Sequence, residues 1–132
     1  MTLQEMVQEF NTAYKPTEIQ EVPTIPNETS MKLWGDLMIE ELQELAVAHN
    51  SKDPVEFLDA IADLLYVTAQ QANLNGWPID AALEEVHQSN MSKLGEDGKP
   101  IIREDGKVLK GPYFEEPDLT SLVVGSVVEE ER

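Results

Sequence analysis

Between Phe57 and Ala69 every position is apolar except Asp59, Asp63 and Thr68, and this stretch constrains the fold more than any other. It follows Asp53-Pro54, a helix cap with proline at the first helical position, and runs on to Leu74 before the Asn75-Gly76 stop. A helix so apolar must be largely buried. It therefore needs packed neighbours, and its two aspartates must be buried or line a cleft.

The rest of the sequence supplies those neighbours as amphipathic helices. Thr2 and Glu5 form a capping box ahead of a stripe of Leu3, Met6, Val7, Phe10 and Tyr14. Pro16, Pro23 and Pro26 enforce an extended loop, closed by the polar cluster Asn27 to Ser30. A second helix is expected from Met31 to His49, with Leu33, Trp34, Leu37, Met38, Leu42, Leu45 and Ala48 apolar. Asp80 caps a fourth, Ala81 to Leu94, which Gly95 ends. Short connections make the later helices antiparallel neighbours, so the fold class is all-α, a bundle of four main helices.

After Gly95 the character changes. Glu96-Asp97-Gly98-Lys99 recurs as Glu104-Asp105-Gly106-Lys107 around Ile101-Ile102 and ahead of Val108-Leu109, which reads as a small hairpin or looped arm. The expected organisation is a single helical domain over 1–118, with a basic arm at 95–118 and a C-terminal tail at 119–132. The apolar stretch Leu119 to Val128 and the closing Glu129-Glu130-Glu131-Arg132 are expected to dock on a neighbouring subunit or to fray.

Charge excludes several functions. Among 132 residues, 26 acids against 9 bases give a net charge of −17, which repels the phosphates of nucleic acids and favours cations as partners. No apolar run approaches the roughly 20 residues of a membrane span, and the acidic, amphipathic Met1–Tyr14 is not expected to act as a secretory signal. The absence of cysteine removes disulfides, thiolate metal sites and thiol nucleophiles. A cytoplasmic location is expected.

The acids themselves are misplaced for a solvated surface. Leu37, Glu41, Glu44 and Ala48 share one stripe of the second helix, with Glu40 beside Glu44; Asp59 and Asp63 are four apart on the third, and Tyr66 continues their face. Carboxylates at such spacing lie about 5 Å apart and repel by roughly 3 kcal/mol at an effective dielectric near 20. Packed helices cannot hold four or five of them ionised without compensation. Protonation is one remedy, and a hard divalent cation with oxygen ligands is the other. Lys32 and Lys52 are the only lysines close in sequence to these helices, too few to pair with Glu41, Glu44, Asp59 and Asp63 together. A metal site is the favoured reading.

Glu41-Leu42-Gln43-Glu44 followed by Asp59-Ala60-Ile61-Ala62-Asp63-Leu64-Leu65-Tyr66 resembles the all-α nucleoside triphosphate pyrophosphohydrolases, the MazG-like superfamily. That superfamily includes dimeric dUTPases and phosphoribosyl-ATP pyrophosphohydrolase, and pairs Glu-x-x-Glu on one helix with Glu-x-x-Asp on the next. Asn90-Met91-Ser92-Lys93, the Asp-Gly-Lys arm and Lys110-Gly111-Pro112 are similar to a compact, often phage-encoded branch near the MazZ enzymes, which act on guanine triphosphates. For a phage-encoded member the location would be the host cytoplasm. In the family register the partner of Asp63 would fall at Ala60; here Asp59 stands one residue earlier on the same face. A literal Glu-x-x-Asp also exists at Glu56 and Asp59. Asp59 with Asp63 is preferred, because the Asp53 capping box explains Glu56, and the fourth ligand stays open between Asp59 and Glu56.

The resemblance implies hydrolysis between the α- and β-phosphates of a nucleoside triphosphate (GTP or dGTP by likeness to the phage branch), giving the monophosphate and pyrophosphate. Glu41, Glu44, Asp63 and Asp59 would hold Mg²⁺, with Mn²⁺ as substitute, and Glu40 would orient or deprotonate a water. Five of the nine bases, Lys93, Lys99, Arg103, Lys107 and Lys110, cluster in and just before the arm; with Asn90, which lies on the fourth helix with Lys93, they are candidate phosphate ligands. As a scattered set on a solvated hairpin they would mean nothing; the neighbouring carboxylates give them meaning. Trp34 could stack on a purine and Asn11 or Asn27 could read its edge, although Trp34 suits a core position equally well. Asp36 could accept from guanine or simply be exposed. One Glu-x-x-His (Glu84 to His87) falls short of the two that a di-iron bundle needs. No Ser-His-Asp elbow, P-loop or dinucleotide fingerprint is present. The apolar surplus, above all in the third helix, predicts a homodimer or its doubling to a tetramer. The competing reading is an acidic, non-catalytic module that binds a basic partner or mimics nucleic acid.

Overall fold

The structure is a computed structural model and describes residues 1–131. Four helices, α1 Leu3–Tyr14, α2 Glu28–Ser51, α3 Pro54–Leu74 and α4 Ile79–Met91, carry the fold. Four strands of two residues each, β1 Thr24–Ile25, β2 Ile101–Ile102, β3 Val108–Leu109 and β4 Val127–Val128, and a short 3₁₀ turn at Thr120–Val123 complete it. The fold is all-α, as expected. The chain divides into two compact units: residues 1–79 with the stretch from Val124 onward, and residues 80–123 between them.

In the first unit each helix starts at the cap the sequence supplies. Thr2 Oγ1 accepts the Glu5 amide at 3.2 Å, and Lys15 closes α1 in the left-handed region. Asn27 Oδ1 accepts the Ser30 amide at 2.9 Å, so α2 begins at Glu28, three residues before the expected Met31: the polar cluster ending the proline loop is the cap itself. Asp53 Oδ1 accepts the amides of Val55 and Glu56 at the start of α3. The Asp53 amide, however, donates to the Ala48 carbonyl, so the reciprocal bond from Glu56 that a full capping box needs is not made.

α3 packs against both α1 and α2. The buried apolar residues are mostly small (Ala48, Ala60, Ala69 and Ala72), with Val7 and Leu74, which lets the helix backbones approach closely. Phe10 meets Tyr66 edge-on, ring centroids 5.8 Å apart. The loop before α2 is tied to the end of α3: the Gln20 and Thr24 amides donate to the Leu74 and Asn75 carbonyls, and Trp77 Nε1 donates to the Thr24 carbonyl at 2.9 Å. Gly76 turns this corner at φ +79°, with the Val22 carbonyl oxygen only 2.4 Å from where a Cβ would stand.

Two expectations need correction. The apolar run of α3 is not largely buried within one chain. Leu58 is 67% and Leu65 57% exposed, because α1 and α2 cover only part of the α3 surface. The tail, expected to dock on a neighbour or to fray, returns to its own chain. β4 pairs in parallel with β1, Thr24 opposite Val127 and Ile25 opposite Val128. Glu129 Oε1 accepts the Asn27 amide and the Ser30 hydroxyl, and the Glu131 carboxylate accepts the Thr29 amide and hydroxyl. The run of acids thus neutralises the positive end of the α2 dipole and accepts its open amides.

The second unit opens with α4, which starts at Ile79 and ends at Met91, so Asp80 lies in its first turn rather than capping it, and the helix stops short of Leu94. The expected hairpin is present: β2 and β3 pair antiparallel, Ile101 opposite Leu109 and Ile102 opposite Val108. Each Asp-Gly-Lys turn is closed by its aspartate, Asp97 Oδ1 accepting the Lys99 amide and Asp105 Oδ1 the Lys107 amide.

Candidate metal centre

α2 and α3 form a helical hairpin, and helical periodicity places Glu41 and Glu44 of α2 and Asp63 of α3 on the faces that meet. One carboxylate oxygen from each of the three lies within 4.8 Å of the others. Glu41 and Asp63 are half-buried, while Glu44 is exposed. Glu41 Oε2 is buried and has no hydrogen-bond partner among the described residues.

The electrostatics follow from that placement. The Glu41 carboxyl is raised above its ordinary range, first by burial, then by the nearby Glu44 carboxylate, then by the charges of Asp63 and Asp59. Asp63 is raised by burial first, then by Asp59 and Glu44. Asp59 is therefore part of the same electrostatic group without belonging to the tight triad. No ion pair among the described residues relieves them: Lys32–Asp36, Arg103–Asp105 and Lys110–Glu116 all lie elsewhere. An all-oxygen donor set, one member of which holds an unpartnered buried oxygen, fits a hard divalent cation.

Beside the triad, a cleft of about 660 Å³ is lined by Glu40, Gln43, Glu44, Val47, Ala48, Ser51, Glu56, Asp59 and Ala60. Glu44 belongs to both. Glu56, which the sequence presents as a capping residue, faces this cleft with Asp59, and the missing capping bond explains why it is available. Its signal was the literal Glu56-x-x-Asp59 spacing.

The remaining candidates separate. Asn11 is fully buried; its amide donates to the Gln70 carbonyl at 3.1 Å and to Asn73 Oδ1 at 2.8 Å, and Asn73 in turn donates to Gln8. It occupies a core position of the first unit, with its Oδ1 unpartnered among the described residues. Asn27 is the α2 cap and Asp36 pairs with Lys32 at 2.6 Å. Trp34 is half-buried on α2, and its buried Nε1 has no partner among the described residues. Asn90, Lys93, Arg103, Lys107 and Lys110 belong to the second unit. There Arg103 is engaged with Asp105, and Lys110 lies 4.5 Å over the Phe114 ring and 3.4 Å from Glu116.

A family model described as phosphoribosyl-ATP pyrophosphohydrolase matches residues 3–90, which contain the whole acidic cluster. No curated protein matches the chain.

Proposed function

The chain belongs to the phosphoribosyl-ATP pyrophosphohydrolase family, within the MazG-like all-α superfamily, and on that premise we propose that it is a metal-dependent nucleoside triphosphate pyrophosphohydrolase. The observation that carries this reading is the convergence of Glu41, Glu44 and Asp63 within 4.8 Å. An acidic cluster of this kind cannot meet a triphosphate directly, since the two repel. Mg²⁺ held by Glu41, Glu44 and Asp63, with Asp59 or Glu56 as a further ligand, would supply the positive charge that phosphate oxygens and an attacking water both need.

The chain's own residues then divide the work. Glu40, at the rim of the cleft beside Glu44, accepts a proton from the water whose oxygen bonds to phosphorus. The bridging P–O bond breaks as that bond forms, and pyrophosphate leaves with the bridging oxygen. Asn90, Lys93, Arg103, Lys107 and Lys110 contact the outer phosphate charge, and Trp34 stacks on the base. A preference for GTP or dGTP follows from the likeness of Asn90–Lys93 and Lys110–Pro112 to the phage branch. The protein works as a homodimer or tetramer, because the exposed apolar residues of α2 and α3, Ile39, Leu42, Leu58 and Leu65 among them, need cover.

The test is direct. The protein is incubated with each common ribo- and deoxyribonucleoside triphosphate, and with phosphoribosyl-ATP, in Mg²⁺; products are resolved by chromatography and phosphorus NMR. A nucleoside monophosphate with pyrophosphate is expected. Orthophosphate would make it a different phosphohydrolase, and turnover of phosphoribosyl-ATP alone would replace the substrate class. No turnover of any substrate would leave the acidic interaction module as the better reading.

A further inference from the structure

Two motifs that are separate in sequence, Asn90-Met91-Ser92-Lys93 and Lys110-Gly111-Pro112, meet inside the second unit. Gly111 sits against the carbonyls that follow α4: a Cβ on it would stand 2.1 Å from the Leu94 oxygen and 2.8 Å from the Lys93 oxygen. Both obstructing atoms are backbone, so any side chain at 111 forces the two segments apart. The chain just beyond is fastened to the same helix end. Ser89, buried on α4, donates its hydroxyl to the Glu115 carbonyl at 2.7 Å. The Glu115 amide donates to Ser92 Oγ at 3.0 Å, and Ser92 Oγ donates to the Ser89 carbonyl at 2.6 Å.

These groups are neutral, and the hydrogen bonds all have a backbone group on one side. Their common effect is on the backbone that bears Lys93, held between Ser92 and Leu94, and Lys110, immediately before Gly111. A lysine on a loose hairpin loses backbone and rotamer freedom when it grips an anion; one on a clasped backbone has already lost part of it on folding. From this geometry we infer that Gly111, Ser89 and Ser92 are positioning residues: they act through Lys93, fixing its backbone so that its ammonium meets the phosphate charge of the substrate. The inference rests on the assignment of Lys93 as a phosphate contact made above.

Steady-state kinetics on the best triphosphate substrate in saturating Mg²⁺ tests it. Lys93→Ala is expected to raise KM about tenfold with kcat changed less than about twofold, the pattern of lost binding common to ground and transition states. Ser92→Ala and Gly111→Ala should each raise KM by about three- to tenfold with the same small effect on kcat. Ser92→Thr, which keeps the hydroxyl, should recover most of the loss. Added to Lys93→Ala, Ser92→Ala should change KM by less than about twofold, because the two act on one interaction. Gly111→Ala can disturb folding outright, so the serine variants decide between the outcomes. A rise in KM for Lys93→Ala with none for Ser92→Ala or Ser89→Ala overturns the inference, as do effects that multiply in the double variant. If Lys93→Ala itself leaves KM unchanged, the phosphate assignment fails first and the inference goes with it.

Discussion

Glu41 and Asp63 meet across the α2–α3 hairpin with carboxylate oxygens no more than 4.8 Å apart, and burial is the first cause holding each carboxyl above its ordinary range. A raised pKa in the folded state means that the native protein binds protons more readily than the unfolded chain. Stability therefore falls as pH rises through the window above the ordinary carboxylate range. Thermal melts of the metal-free protein should show Tm rising as the pH is lowered from neutral into that window. Mg²⁺ should raise Tm most at neutral pH, by the equivalent of about 2 to 3 kcal/mol at a hundredfold excess over its Kd. Glu41→Gln should flatten both dependences; a profile unchanged by that substitution would assign the effect to the general negative charge instead.

Glu40 and Glu44 are neighbours with different expected losses. Glu44 belongs to the triad and to the cleft, whereas Glu40 lines the cleft alone. Glu40→Gln should lower kcat by about 10²- to 10⁴-fold, the range for a lost general base, and keep the stabilisation by Mg²⁺. Glu44→Gln and Asp63→Asn should abolish turnover and the Mg²⁺ effect together, while the metal-free protein keeps or gains stability because a like charge has gone. Calorimetric titration with Mg²⁺ beside the activity assay separates the two. Loss of the Mg²⁺ effect in Glu40→Gln would make Glu40 a ligand.

The sequence was most legible where local chemistry decides the structure. Thr2, Asp53 and the two Asp-Gly turns announce element ends through hydrogen bonds made within a few residues, and those ends stand where expected. The convergence of Glu41 and Glu44 with Asp63 was legible too, since helical spacing fixes which side chains share a face. Three features depend on partners distant in the chain. Asn11 looked like an available amide because its acceptors, Gln70 and Asn73, lie on α3. Glu56 looked like a capping acid because nothing local shows that the Asp53 amide is taken by Ala48. The tail looked unattached because its partner strand lies about a hundred residues earlier.

That attachment has a measurable worth. Glu129 and Glu131 receive hydrogen bonds from Asn27, Thr29 and Ser30 at the start of α2. Charged groups at a helix N-terminus contribute about 0.3–1 kcal/mol each when exposed. The double variant Glu129→Gln, Glu131→Gln should therefore lose about 1 kcal/mol in chemical denaturation at low salt. The difference from the unaltered protein should shrink as salt screens the charges. Truncation before Val127 should cost more, since it also removes the β1–β4 pairing. Equal stability of all three proteins would show that the tail contributes nothing to the fold.

Leu58 and Leu65 stand two turns apart on α3, 67% and 57% exposed, on a helix whose neighbours in the chain leave that side open. An apolar row of this size on a protein carrying −17 charges is not explained by solubility. If a second copy covers it, burying a leucine there contributes about 1.5–3 kcal/mol per side chain, and a buried unpaired carboxylate in its place costs more than that contribution. Leu58→Glu should therefore shift the protein to a smaller species in sedimentation velocity at micromolar concentration, with far-ultraviolet circular dichroism unchanged. Asn50→Asp, at an exposed neutral site near the end of α2, adds the same single charge and serves as the control. Identical sedimentation of Leu58→Glu and the unaltered protein would exclude that face from the subunit interface.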